Sequence, residues 1–163
     1  MTSPRRRARG ASTYTHWHEL MASPTMPMPE AKRLHQLSRM WQGLRALEQD
    51  ARPTPDDWRV VSDAVNLLET LVTMGEVQDA TGLLHDAVRE LAIAGARHLQ
   101  EGKPIRLDGA GIFTIRSVLE DYAGALAALP ERTMVRAHRL TEKRISEILA
   151  GKRQPHDVEV MVL

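Results

Sequence analysis

Residues 131–153 read ERTMVRAHRLTEKRISEILAGKR, and the two ways of folding them lead to two different proteins. As one unbroken helix over 131–150, Met134, Ala137, Thr141, Ile145, Ile148 and Leu149 fall on one face and turn toward a core. Arg132, Arg136, Arg139 and Lys143 then recur at spacings of four, three and four and form a basic stripe outside. As two short helices meeting at a tight turn, the same residues would seat the second helix in a DNA groove. That turn places a positive φ where Arg139 stands, a conformation glycine adopts freely and arginine only at a cost of about 1–2 kcal/mol.

Working back from this stretch, the chain shows helical periods separated by breakers. Leu34, Leu37, Trp41 and Leu44 make an apolar stripe after Pro29. The sequence RPTPDDW at 52–58 ends that helix and starts the next, with Thr54 as cap, Pro55 in the first turn, and Asp56 and Asp57 at the positive end of the dipole. Trp58, Val61, Val65, Leu68 and Val72 line the second helix, which stops at Gly75. A third is expected from about Glu76 to Gln100, with Leu84, Val88, Leu91 and Leu99 inward. After the loop EGKPIRLDGAG at 101–111, Asp108 caps a fourth helix carrying Ile112, Ile115, Leu119, Tyr122, Leu126 and Leu129. Pro130 and Glu131 open the fifth.

With 163 residues, 42% hydrophobic but only 4% aromatic, the core must come from aliphatic side chains and Met. That composition favours helices over sheets. The expected fold is therefore all-α: one bundle of about five amphipathic helices over 14–150, a disordered basic arm over 1–13, and a short extended tail over 151–163. Trp17 and Leu20 would pin a short amphipathic segment onto the bundle, and the three prolines of ASPTMPMP at 22–29 read as an extended lead-in. The valine-rich end of the tail alternates like a strand too short to build a sheet alone.

The net charge of +1 conceals an uneven distribution. Residues 1–9 carry +4 from Arg5, Arg6, Arg7 and Arg9; residues 131–153 carry +4; the body between them carries −5, and the last ten residues −2. Two basic segments flanking an acidic body suit a polyanionic partner or the body's own acidic face.

Catalytic and metal chemistry find little support. There is no cysteine. His16 and His18 lie one residue apart without a second pair at ligand spacing, so neither a metal nor another cofactor is expected. Asp56–Asp57 is explained by the helix start, and Glu120–Asp121 by solvation. The LDGAG segment at 107–111 lacks the lysine and serine of a phosphate loop, and no nucleophile elbow surrounds Ser62 or Ser146. The expectation is a non-enzymatic protein. No apolar run has the length of a signal peptide core or a membrane span, which points to a cytoplasmic protein that does not engage membranes.

The segment RISEILAGKRQP at 144–155 resembles the recognition helix of repressor-type helix-turn-helix proteins, while the turn position differs. With HWHELMASP at 16–24, the Pro-Asp-Asp-Trp helix start and RAHRLTEKRISEILAGKRQPHDVEV at 136–160, residues 14–163 are similar to small helical accessory proteins of bacterial phages and mobile elements. That resemblance implies a regulator, a nucleic-acid accessory factor or a stoichiometric inhibitor, and transfers no functional residue. The first expectation is a regulator or accessory factor contacting DNA or RNA phosphates through Arg132, Arg136, Arg139, Lys143 and Arg144, helped by Lys152, Arg153, Arg5, Arg6, Arg7 and Arg9. The alternative is an inhibitor or assembly factor that meets a protein partner through the acidic body. A homo-oligomer packed through the first or fourth helix stays open.

Overall fold

A computed structural model describes residues 13–152. The expected arm and tail lie outside these residues, apart from Thr13, Gly151 and Lys152. The described chain is all helical: α1 His16–Met21, α2 Glu30–Gln49, α3 Pro55–Thr73, α4 Leu84–Glu101, α5 Gly109–Ala128 and α6 Glu131–Leu149.

The helix boundaries follow local chemistry. At the start of α3, Thr54 accepts from the backbone of Asp57, whose carboxylate accepts in return from the Thr54 N–H at 2.8 Å, and Pro55 occupies the first turn. Asp108 caps α5 by accepting from the Gly111 N–H at 2.7 Å. Gly75, Gly102 and Gly151 take positive φ where α3, α4 and α6 stop. The third sequence-predicted helix begins eight residues later than expected, at Leu84, because Gly82 takes positive φ and Asp79 turns the chain by accepting from the Gly82 N–H.

The central element is α3, which packs against α2, α4, α5 and α6. From Trp58 to Leu71 all of its residues but one are buried or half-buried, the exception being Asp63. Two of its polar side chains find partners inside: Trp58 Nε1 donates to the Leu91 carbonyl at 3.0 Å, and Thr70 meets Thr141 of α6 hydroxyl to hydroxyl at 2.6 Å. Ile105, in the loop before α5, completes the core.

Residues 131–149 form one unbroken helix, and no non-glycine residue in the described chain has positive φ, so the two-helix alternative with its turn at Arg139 does not occur. The lead-in caps the start of α6. Its N–H groups at Glu131 and Arg132 donate to the carbonyls of Met26 and Ser23, at 2.8 and 3.0 Å.

Several expected core residues lie outside. Leu34, Leu99 and Leu149 are exposed, as are Trp17 and Leu20 of the short helix expected to pin the N-terminal region. Leu34 lies near the start of α2, and Leu99 and Leu149 near the ends of α4 and α6, while α1 contributes no buried residue at all.

At the contact between α2 and α3, a Cβ on Gly43 would lie 2.8 Å from the backbone oxygen of Asp57 and 3.3 Å from Val61. Replacing Gly43 by Ala gains up to about 1 kcal/mol of helix propensity and costs about 1–3 kcal/mol in overpacking. The expected outcome is a net loss of about 1 kcal/mol, read as a lowered urea midpoint at constant slope.

Candidate functional site

The basic stripe of α6 does not survive as a stripe. Arg132 donates to the carbonyls of Ala22 and Leu20, at 3.2 and 3.0 Å. Arg139 pairs with Glu19 of α1 and reaches His16 at 3.3 Å. Arg144 pairs with Glu69 of α3 at 2.6 Å, and both side chains are largely covered. The flanks of α6 are packed, by α1 and the lead-in on one side and by α3 on the other, and arginines there satisfy carbonyls and carboxylates that would otherwise lack donors. Arg136, Lys143 and Lys152 remain exposed, with Lys143 3.8 Å from Glu147. Arg5, Arg6, Arg7, Arg9 and Arg153 lie outside the described residues. The acidic body is likewise engaged: Asp56 with Arg59, Asp86 with Arg89, Glu48 with Arg116, and Glu101 with Lys103.

A second arrangement comes from the gap between α2 and α6. Both pack on α3 but scarcely on each other, and a cleft of about 250 Å³ opens between them. Met40, Ala64, Leu67 and Tyr122 give it a buried, largely apolar floor. Asp63, the exposed residue between Trp58 and Leu71, opens into this cleft. Its carboxylate has no hydrogen bond or salt bridge among the described residues. Gln36 Oε1 and His138 Nε2, from two other lining residues, are buried from solvent without a hydrogen-bond partner. Tyr14 stacks at a tilt on the His138 ring with centroids 5.1 Å apart, and the Thr13 N–H donates to Glu142 at 3.0 Å, so the chain before α1 crosses one side of the opening.

Three groups here titrate away from their ordinary ranges, and two of them, Asp63 and His138, do so on the acid side. Crowding by the surrounding protein raises the Asp63 pKa from 3.8 to about 6, with Arg59 and Arg39 pulling it back and Glu142 adding to the rise. Burial lowers His138 from 6.5 to about 4, against the favourable charge of Glu142. Burial also pushes the Tyr122 hydroxyl well up, so it stays protonated.

The sequence contained a signal for this cleft that the periodic reading passed over. Asp63 is the lone charge in the run Val60–Leu68. His138 lies between Ala137 and Arg139 on α6 with no other histidine near it in sequence, so no motif marks it. His16 and His18, the expected candidates among the histidines, instead serve α1: His18 closes a capping box with Thr15, and His16 lies beside Glu19 and Arg139.

The two shifted groups act on stability in opposite directions. His138 is neutral when folded, so the unfolded chain binds its proton first, and stability falls as pH drops from 6.5 toward 4. Folded Asp63 takes up its proton near pH 6 and the unfolded chain only near 3.8, so stability rises as pH drops across that window. Urea denaturation at pH 7 and pH 4.5 is expected to show a steeper acid-side loss in Asp63→Asn, and a reduced or reversed loss in His138→Leu. Parallel behaviour of the two variants would contradict this assignment.

No protein-family model, curated protein or solved structure matches the chain.

Proposed function

We propose that this is a non-catalytic binding protein, a regulator or accessory factor that associates with DNA or RNA through the open face of α6 and the arginine-rich segment preceding Thr13. One observation carries the reading: the bond from the Thr13 N–H to Glu142 holds Thr13 on α6, next to Lys143 and one turn from Arg139. Exposed Arg136 and Lys143 supply cations on this face, with exposed Arg39 across the cleft, and Arg5, Arg6, Arg7 and Arg9 are the further cations this reading enlists. Arg132, Arg139 and Arg144 drop out of the contact set because they hold the fold. Such a surface neutralises phosphates without reading bases, and its binding is salt-sensitive.

Fluorescence anisotropy with labelled duplex and single-stranded probes at two salt concentrations tests it. Reversing Arg136 and Lys143 to Glu is expected to weaken binding about tenfold or more and to flatten the salt slope by about one to two. Arg144→Ala should instead lower the melting temperature and leave binding within about twofold, since its partner Glu69 belongs to the same chain. Unchanged binding by the charge-reversed protein, or no binding at low salt by the native one, would sink the reading.

The alternative of a protein partner has its own observation. Trp17, Leu20, Met21 and Met26 all lie exposed within ten residues, Trp17 at 67% and Met21 at 68%. Since much of the acidic body is paired internally, this apolar face of α1 and the lead-in is the better contact surface for an inhibitor or assembly factor. A partner captured after nuclease treatment and lost in Trp17→Asp and Met21→Asp would favour this reading; retention by both variants would count against it.

A further inference from the structure

The cleft between α2 and α6 carries a function separate from the cationic surface. We propose that it binds a small alkyl cation, an alkylammonium or alkylguanidinium group, with Asp63 as counter-ion and Gln36 Oε1 as a hydrogen-bond acceptor over an apolar floor.

The inference starts from an anomaly of placement. The middle of a helix packed by four others has little reason to carry a charge, yet between Val60 and Leu68 α3 holds one carboxylate, Asp63, where the cleft opens. That carboxylate is accessible and forms no ion pair among the described residues. Nearby cations do not supply one: Arg59 pairs with Asp56 at 2.6 Å, and Arg39 is an exposed side chain that influences Asp63 without forming a salt bridge to it. The other groups facing the cleft are His35 on α2, Tyr122 on α5, His138 and Glu142 on α6, and Tyr14 before α1. At neutral pH His138 and Tyr122 are uncharged, for the burial reasons given above, and Glu142 adds negative charge at the edge. An anion entering here would meet Asp63 at close range; a cation would neutralise it.

The orphaned atoms complete the recognition. Gln36 Oε1 is an acceptor without a donor, and His138 Nε2 accepts or donates according to its tautomer. Unpaired buried polar atoms cost stability, and a ligand carrying several N–H donors removes that cost on binding. The aliphatic part of such a ligand matches Met40, Val60, Ala64 and Leu67. A volume of about 250 Å³ falls below the roughly 300–1,000 Å³ typical of drug-sized ligands, which fits a short amine or guanidine.

The test is an NMR titration of the full chain with butylammonium and methylguanidinium, and with uncharged N-methylurea as the shape control. Saturable shifts confined to the cleft are expected for the two cations at pH 7.5. Affinity should fall about tenfold at pH 5.0, where Asp63 is mostly protonated, and by at least as much in Asp63→Asn at pH 7.5. Arg136→Glu, which alters the proposed nucleic-acid face, should leave cation binding unchanged. Absence of saturable shifts, equal binding of N-methylurea, or undiminished affinity in Asp63→Asn would each overturn the proposal. The pH comparison on the native chain decides the matter even if Asp63→Asn folds poorly.

Discussion

A helix surrounded by other helices has no solvent face on which to carry polar residues, and α3 meets that constraint through almost its whole length. Val61, Val65, Leu68 and Leu71 are almost completely covered, and so are the polar residues Ser62, Asn66 and Thr70. The hydrogen bonds from Trp58 to the Leu91 carbonyl and between Thr70 and Thr141 fix how α4 and α6 sit on this axis. Every other helix except α1 is positioned by contact with α3, so the cleft and the open face of α6 are both consequences of how its neighbours divide its circumference.

The charge distribution shows the same division of labour. Arginines at the packed flanks of α6 serve carbonyls and carboxylates of α1, the lead-in and α3, and those on its solvent side remain available. A half-buried arginine with a same-chain carboxylate is a poor phosphate contact, because removing it from its partner leaves that partner's charge uncompensated. Regular spacing along one helix thus says which side chains share a face, and the neighbours decide what that face is for.

This explains what was legible in the sequence. Caps and breakers are local, so Thr54, Pro55, Asp108, Gly75 and Gly151 marked helix ends where the structure has them. The apolar stripes of α3 and α5 were equally legible, since both helices are buried along most of their length. Leu34, Leu99 and Leu149 were misplaced because periodicity carries no information on where a covering helix ends. The late start of α4 turned on Asp79 and Gly82, a turn within a stretch that also reads as helical. The cleft was hidden for a deeper reason: its residues come from α2, α3, α5 and α6, and only tertiary packing brings them together.

The capping of α6 by the carbonyls of Met26 and Ser23 has a consequence for the order in which the molecule assembles. Arg132 and Arg139 also reach back to Leu20 and Glu19, more than a hundred residues upstream. During synthesis the segment from Thr15 to Pro29 leaves the ribosome about a hundred residues before α6 and must wait for that helix before it can dock. Closing so long a loop is entropically costly until the core that brings its ends together exists. Docking of the 15–29 segment therefore follows the appearance of α6, and a nascent chain halted before α6 leaves Trp17, Leu20 and Met21 without the arginines that fasten their helix to the body.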